Sequence, residues 1–190
     1  MSPVFILVSV VCFALGGYCL YSYVKKREVG DVFVALGLFA LGILSALLAA
    51  VGLTALQSPL AAPLGALTPL FISLGVFKLV LPKWWRWYLI FVVVGLAAIS
   101  AFRPAVPAVH AVAGLVIVLL PIYAVVKRTM PMHFLGVTAG GVLIGIGGLA
   151  LASAAMARPI LPLEVVAALL PWILLLMVLF YGYGFIMGRR

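Results

Sequence analysis

The sequence predicts an all-α protein embedded in a membrane, and three observations lead to this prediction. Hydrophobic residues make up 68% of the 190 positions and charged residues 8%, whereas soluble domains are about half apolar and a quarter charged. The mean hydropathy is +1.42. Seven apolar segments are each long enough to cross a bilayer, which takes about 20 residues in a helix. We therefore predict one integral membrane domain, residues 1–190, with seven transmembrane helices.

Short polar or proline-containing links separate the predicted spans, so each helix should lie antiparallel to the next. Pro107 and Pro162 suit the starts of spans 5 and 7. The N–H groups in the first turn of a helix have no partner within the helix, so a proline there loses no hydrogen bond. Aromatic side chains, which prefer the membrane interface, end spans 1 and 7 and begin span 4. The spans cover residues 3–24, 32–56, 60–81, 85–102, 105–126, 133–157 and 161–187.

The lysines and arginines predict the orientation. Only Arg103 and Arg158 fall on one side of the membrane if the spans alternate in direction. The basic residues on the other side are Lys25, Lys26, Arg27, Lys78, Lys83, Arg86, Lys127, Arg128, Arg189 and Arg190. Because cytoplasmic loops carry the excess of lysine and arginine, we expect the N-terminus outside and the C-terminus in the cytoplasm. The net charge of +9 is then a topology signal that also favours anionic lipid headgroups, and it does not indicate nucleic acid binding.

Three proline-containing turns predict an internal repeat. The segments "SPLAAP", "RPAVP" and "RPILP" each join an outgoing helix to a returning one. One interpretation is a single helix followed by three similar hairpins, formed by spans 2–3, 4–5 and 6–7. Chance recurrence of short proline turns is an equal alternative.

Glycines distinguish spans 2 and 6 from the others. Span 6 carries Gly136, Gly140, Gly141 and Gly145 in small-xxx-small pairs, and span 2 carries Gly37 and Gly42. Such residues let neighbouring helix backbones approach closely, and close packing is the favoured interpretation. The alternative is that the missing side chains leave room for a pore or a substrate. Both interpretations predict that spans 2 and 6 lie centrally in the bundle.

The middle of every predicted span lacks Asp, Glu, Lys, Arg and His, which argues against a proton pump or an ion-coupled carrier. No lysine lies in the middle of a predicted span, where it could form a Schiff base with retinal. His110 and His133 should lie at opposite membrane surfaces, which argues against a haem held by two histidines. The segment "MPMH" offers soft ligands for Cu(I), but four residues in a short loop are a weak signal. We expect no metal, no cofactor, no catalytic residue and no enzymatic activity.

A polar cluster is predicted at the outer ends of spans 4–7, formed by Arg103, His110, Arg158 and Glu164. Since a carboxylate at membrane depth is costly without a cationic partner, we expect Glu164 to pair with Arg103 or Arg158 and so join hairpin 4–5 to hairpin 6–7. His110 is expected to be a neutral neighbour of that pair. The simpler alternative makes Glu164 and His110 helix-start residues at the membrane interface.

Two segments resemble the small amide and urea channels of bacteria: "LYSYVKKREVGDVFVALGLFALG" across spans 1–2, and "LPKWWRWYLIFVVVGLAAI" entering span 4. The resemblance implies a ring-shaped oligomer with an apolar, aromatic-lined pore through each protomer. The chain departs from that family in its seventh span and in lacking glutamates within the membrane. No pore residue therefore carries over, and a multi-pass membrane family of archaea is an equal alternative.

The leading functional prediction is a channel or facilitator for a small uncharged solute, in the plasma membrane of a prokaryote. It rests on two glycine-rich helices without coupling charges. The alternative is a structural or accessory subunit of a larger membrane complex, such as a respiratory enzyme. The expected partners are membrane lipid and either further copies of the chain or other subunits.

Overall fold

The computed structural model describes residues 3–57, 61–102, 105–155 and 162–188. These residues form seven α-helices and two short 3-10 helices, and no strand occurs among them, so the all-α prediction is confirmed there. The α-helices are α1 (Pro3–Lys26), α2 (Val29–Val51), α3 (Ala61–Val80), α4 (Trp85–Ala101), α5 (Ala105–Val126), α6 (Leu135–Ala155) and α7 (Leu163–Met187); the 3-10 helices are Gly52–Gln57 and Met132–Phe134.

Five of the helices, α1, α2, α3, α5 and α7, are long and apolar enough to cross a membrane. Helix α4 and the apolar stretch Met132–Gly148, which contains the first part of α6, are shorter. Several apolar helices of this length make the chain a multi-pass membrane protein.

Helix α2 differs at both ends from the predicted span 32–56. It begins at Val29 because the Glu28 side chain caps it, accepting a hydrogen bond from the Gly30 N–H. It ends at Val51 because Gly52 has a φ of 68°, a conformation that glycine adopts without steric cost. The earlier start brings Asp31 into the helix, whereas the sequence pattern had placed it in the preceding loop.

Six of the helices close into a ring. Contacts run from α1 to α2, then to α3, α5, α6 and α7, and from α7 back to α1. Helix α4 lies outside this ring against α3 and α5, and it packs more closely on α3. The predicted hairpin of spans 4 and 5 is therefore a looser pair than hairpins 2–3 and 6–7, and duplication of a hairpin stays a prediction.

Large side chains fill the interior of the ring. The main apolar cluster draws on all six ring helices. Among its members that are less than 2% exposed are Leu38, Leu48, Ile72, Ile117, Met177 and Tyr181. A smaller cluster joins α3, α4 and α5 around Leu70, Tyr88 and Val92. Interiors packed in this way leave few voids larger than a water molecule.

The two ends of the bundle differ in charge. We call one the basic end, because it carries Lys25, Lys26, Lys78, Lys83 and Lys127. We call the other the proline end, because Pro107 and Pro162 lie at helix starts there. Contacts between antiparallel helices support the assignment of helix ends to these two ends of the bundle. Gly30 at the start of α2 meets Gly75 near the end of α3, and Gly136 at the start of α6 meets Gly184 near the end of α7.

Candidate functional site

Both glycines predicted to matter in span 2 face neighbouring helices at short range. A Cβ atom added to Gly37 would lie 2.9 Å from the Thr68 carbonyl oxygen and 2.7 Å from the Ile72 side chain, both on α3. One added to Gly42 would lie 3.3 Å from Cys12 Cβ on α1. No real Cβ sits below about 3 Å, so Gly37 permits a backbone approach that another residue would prevent.

Three of the four glycines predicted in span 6 are also enclosed by neighbours. A Cβ atom on Gly136 would lie 2.8 Å from the Phe180 carbonyl oxygen, and one on Gly140 would lie 2.9 Å from the Met177 carbonyl oxygen. Both oxygens belong to α7. A Cβ on Gly141 would instead meet Ile117 of α5 at 2.8 Å. Helix α6 is thus held between α5 and α7 by contacts on two of its sides.

Gly145 departs from the expected close contact. It is exposed, and an added Cβ would meet nothing within 4 Å. Val142, about one turn earlier, and the adjacent Ile146 are 44% and 60% exposed. The face of α6 that carries Gly145 therefore points away from the described parts of the neighbouring helices, and the central position expected of span 6 stays a prediction. Helix α2 lies between α1 and α3, at a separate position in the ring.

The predicted polar cluster at the proline end falls partly outside the described residues, because Arg103 and Arg158 lie there. Glu164 lies in the first turn of α7 and is exposed. A carboxylate is favourable at this position because the N-terminal end of a helix dipole is positive. Pairing of Glu164 with either arginine stays a prediction.

His110 occupies a seam between two helices. Its Nε2 lies 3.2 Å from the Gly65 carbonyl oxygen of α3, and its Nδ1 lies 3.0 Å from the Val106 carbonyl oxygen of its own helix. The ring is half-buried. His110 therefore contacts one backbone oxygen of α3 and one of α5, and its place beside a Glu–Arg pair stays a prediction.

The basic end holds charged residues whose arrangement sequence reasoning missed. Lys78 Nζ donates to Glu28 Oε1 at 3.1 Å, and the pair joins the end of α3 to the cap of α2. Asp31 lies in the first turn of α2 and has no solvent exposure. Its position seven residues before Leu38 puts it on the same helix face as that core residue. The seven-residue spacing between Asp31 and Leu38 is visible in the sequence. It indicates burial of Asp31 only once α2 is known to start before residue 31.

A buried carboxylate is a functional candidate in a membrane protein, because burying its charge costs several kcal/mol unless neighbours compensate. Asp31 gains part of that compensation from the free N–H groups at the start of α2. The helix-start position and the full burial together make Asp31 the acidic group of the described residues that is most removed from water.

An open groove lies at the basic end between α6 and α7. A hydrogen bond joins His133 Nδ1 to the Tyr183 hydroxyl at its rim. The lining residues are Met132, His133, Leu135, Gly136, Ala139, Phe180 and Tyr183. The "MPMH" segment thus contributes Met132 and His133 to an apolar surface. Within the described part of the chain, no three His, Cys, Asp or Glu residues come close enough together to hold a metal ion.

Comparison with protein families, with curated proteins and with solved structures finds no match to this chain. The resemblance to amide and urea channels, inferred from residues in α1, α2 and α4, stays a prediction.

Proposed function

We propose that the protein is a structural or accessory subunit of a larger membrane assembly. The proposal rests on the close packing around the glycines of α2 and α6. Atoms of neighbouring helices fill the space beside Gly37, Gly42, Gly136, Gly140 and Gly141. Had these glycines lined a passage, the space beside them would be open. The side chains that fill the ring interior favour the same function.

The links between helices are short, and this limits where such a subunit can contact its partners. Residues 27–28, 81–84 and 127–131 are the described connections at the basic end. They are too short to form a separate binding domain. Partners would therefore contact the helix faces, where large apolar side chains such as Trp87 and Leu115 are 69% and 57% exposed.

Flux measurements test this proposal. Purified protein in liposomes should leave the permeability to urea, formamide and glycerol equal to that of empty vesicles in stopped-flow light scattering. Native mass measurement after mild detergent extraction from the source membrane should give a stoichiometric complex with other chains. Faster solute entry, together with a homo-oligomeric mass, would reject the accessory role.

A channel or facilitator for a small uncharged solute is the second candidate, and Ser45 favours it. The Ser45 hydroxyl is fully buried and makes no hydrogen bond within the described part of the chain. It lies one heptad after Leu38 and so on the face of α2 that points into the ring. Unpaired buried hydroxyls are where water or a polar solute binds. The resemblance to amide and urea channels, and assembly as a homo-oligomer, belong to this candidate. Any measured flux should then fall in a Ser45→Ala variant.

We further propose that all seven helices span the plasma membrane of a prokaryote, with the basic end in the cytoplasm. Single cysteines at Ser58 and Thr129, in a variant lacking Cys12 and Cys19, should react with a membrane-impermeant maleimide from opposite sides. The Ser58 position should be labelled in intact cells, and the Thr129 position only after permeabilisation. Labelling of the Thr129 position from outside would refute the orientation inferred from the basic residues.

A further inference from the structure

The connection between α5 and α6 presents two cations on a backbone that its own contacts hold in place. Lys127 and Arg128 follow α5 directly, and both are exposed. The backbone N–H and the hydroxyl of Thr129 both donate to the Ala124 carbonyl oxygen, at 2.9 and 3.1 Å. The Nζ atom of Lys127 lies 6.0 Å from the centre of the Tyr123 ring, whose face attracts a cation. The positive charges at this helix end are therefore positioned without a ligand.

Arg128 adopts a backbone conformation that favours glycine. Its φ is 56°, a left-handed conformation that is unfavourable for any residue with a Cβ atom. Glycine is the usual residue at helix ends of this kind. Among the described residues, the other side chain held at a positive φ is that of Arg27, at the end of α1. Retention of a guanidinium at a strained position indicates a function for its charge.

The groove between α6 and α7 begins beside this cationic connection. The chain reaches the groove-lining residue Met132 four positions after Arg128, and the 3-10 helix Met132–Phe134 contacts α5, α6 and α7. The groove then follows Gly136 and Ala139, about 6 Å into the membrane from the start of α6. Its volume of about 310 Å³ lies at the lower end of the range for ligand sites.

The rim of the groove offers a hydrogen-bond donor and no negative charge. A neutral imidazole has one N–H and a phenol has one O–H. One of these two hydrogens forms the bond between His133 and Tyr183, so the other can donate to a ligand. The chain has three acidic residues. Glu28 and Asp31 lie at the start of α2, and Glu164 lies at the proline end.

We propose that this groove binds an anionic phospholipid. The phosphate lies against Lys127 and Arg128, the ester oxygens accept from the His133–Tyr183 pair, and the upper part of one acyl chain packs between α6 and α7. An apolar groove alone would accept any hydrocarbon, and cations alone would accept any anion. Together they match a ligand whose phosphate lies at the membrane surface and whose chain descends from it. This site goes beyond the accessory role proposed above and does not depend on it.

Lipid titration of the purified protein tests the class of ligand. In detergent, dioleoylphosphatidylglycerol should raise the melting temperature by about 5 °C near saturation, because it binds only the folded state. Dioleoylphosphatidylcholine and inorganic phosphate should each raise it by less than about 1 °C. An equal rise with the two lipids would overturn the selection by charge. A rise with inorganic phosphate equal to that with phosphatidylglycerol would overturn the part played by the groove.

Two arginine variants separate a specific site from general surface charge. Arg128→Gly removes the charge together with the backbone strain, so the lipid-free protein should melt no lower than the parent. Its affinity for phosphatidylglycerol, measured by native mass spectrometry, should fall about fivefold. Arg27→Gly makes the same change at the same φ, on a helix that two others separate from α5 on either side of the ring. Its affinity should stay within about twofold of the parent value. Unchanged affinity in Arg128→Gly, or an equal loss in both variants, would overturn the site.

A third variant tests the position of the acyl chain. Ala139→Phe places a ring in the groove and should weaken phosphatidylglycerol binding about fivefold, because the chain loses its packing contacts with α6 and α7. Gly145→Phe is the matched control on the same helix, since a side chain there enters open space. Unaltered binding by Ala139→Phe would overturn the placement of the chain. The comparison of the two arginine variants does not depend on whether Ala139→Phe folds.

Discussion

Replacing Gly140 by leucine should destabilise the protein strongly. A Cβ atom there would lie 2.9 Å from the Met177 carbonyl oxygen and 2.7 Å from the Tyr181 ring of α7. A flexible side chain can move aside, but a backbone oxygen cannot move without shifting α7. Since overpacking costs about 3 kcal/mol where neighbours cannot relax, we expect the melting temperature to fall by about 10 °C. Size-exclusion chromatography should reveal a large loss of monodisperse protein.

The same substitution at Gly145 is the matched control. Gly145 lies on the same helix, but an added side chain would enter open space. Leucine there should leave the melting temperature within about 2 °C of the parent protein, because exposed substitutions usually change stability by less than about 0.5 kcal/mol. If the two variants behave alike, α6 does not pack on α7 through Gly140.

A second large effect is expected at the crossing of α2 and α3. A Cβ atom on Gly75 would lie 2.8 Å from the Gly30 carbonyl oxygen and 3.0 Å from the Val34 backbone nitrogen. Gly75→Leu should therefore force the two backbones apart, at a cost of about 3 kcal/mol. The ion pair between Glu28 and Lys78 should be lost as well, since Lys78 lies one turn beyond Gly75 on the displaced helix.

Hydrogen exchange gives this second prediction a local readout. Amides in the first turns of α2 should exchange faster in Gly75→Leu, whereas those of α6 should change less. Gly17→Leu on α1 is the control, because a Cβ at Gly17 meets nothing within 4 Å. Unaltered protection at the start of α2 in Gly75→Leu would contradict the close crossing.

Much of the fold follows from the sequence because it depends on local properties. Apolar runs of sufficient length predict helices in lipid, since only internal hydrogen bonding satisfies the backbone there. Short links predict antiparallel neighbours, and the helix pairs α2 with α3 and α6 with α7, which cross closely at glycines, are each consecutive in the chain. The helix ends were less predictable. Glu28 and Gly52 place the two ends of α2 earlier than the predicted span 32–56, and the earlier start includes Asp31 in the helix.

The candidate sites depended on contacts between residues far apart in the chain. Because Pro69 has no N–H to offer the Gly65 carbonyl, the sequence predicts a free oxygen there, but only the packing of α5 on α3 brings His110 to it. The glycines of span 6 predict that some helix approaches closely, yet the sequence cannot separate Gly140, which meets α7, from Gly145, which faces open space.

By itself, the sequence determined that the chain is helical, apolar and basic at one end, because composition and periodicity act within each segment. The tertiary structure decided the order of helices in the ring, the position of α4 outside it, the burial of Asp31 and the two oxygens that face His110. These features depend on which side of each helix meets which neighbour. That choice is made by the shapes of all the helix surfaces together, because close packing is a property of pairs of surfaces and not of single segments.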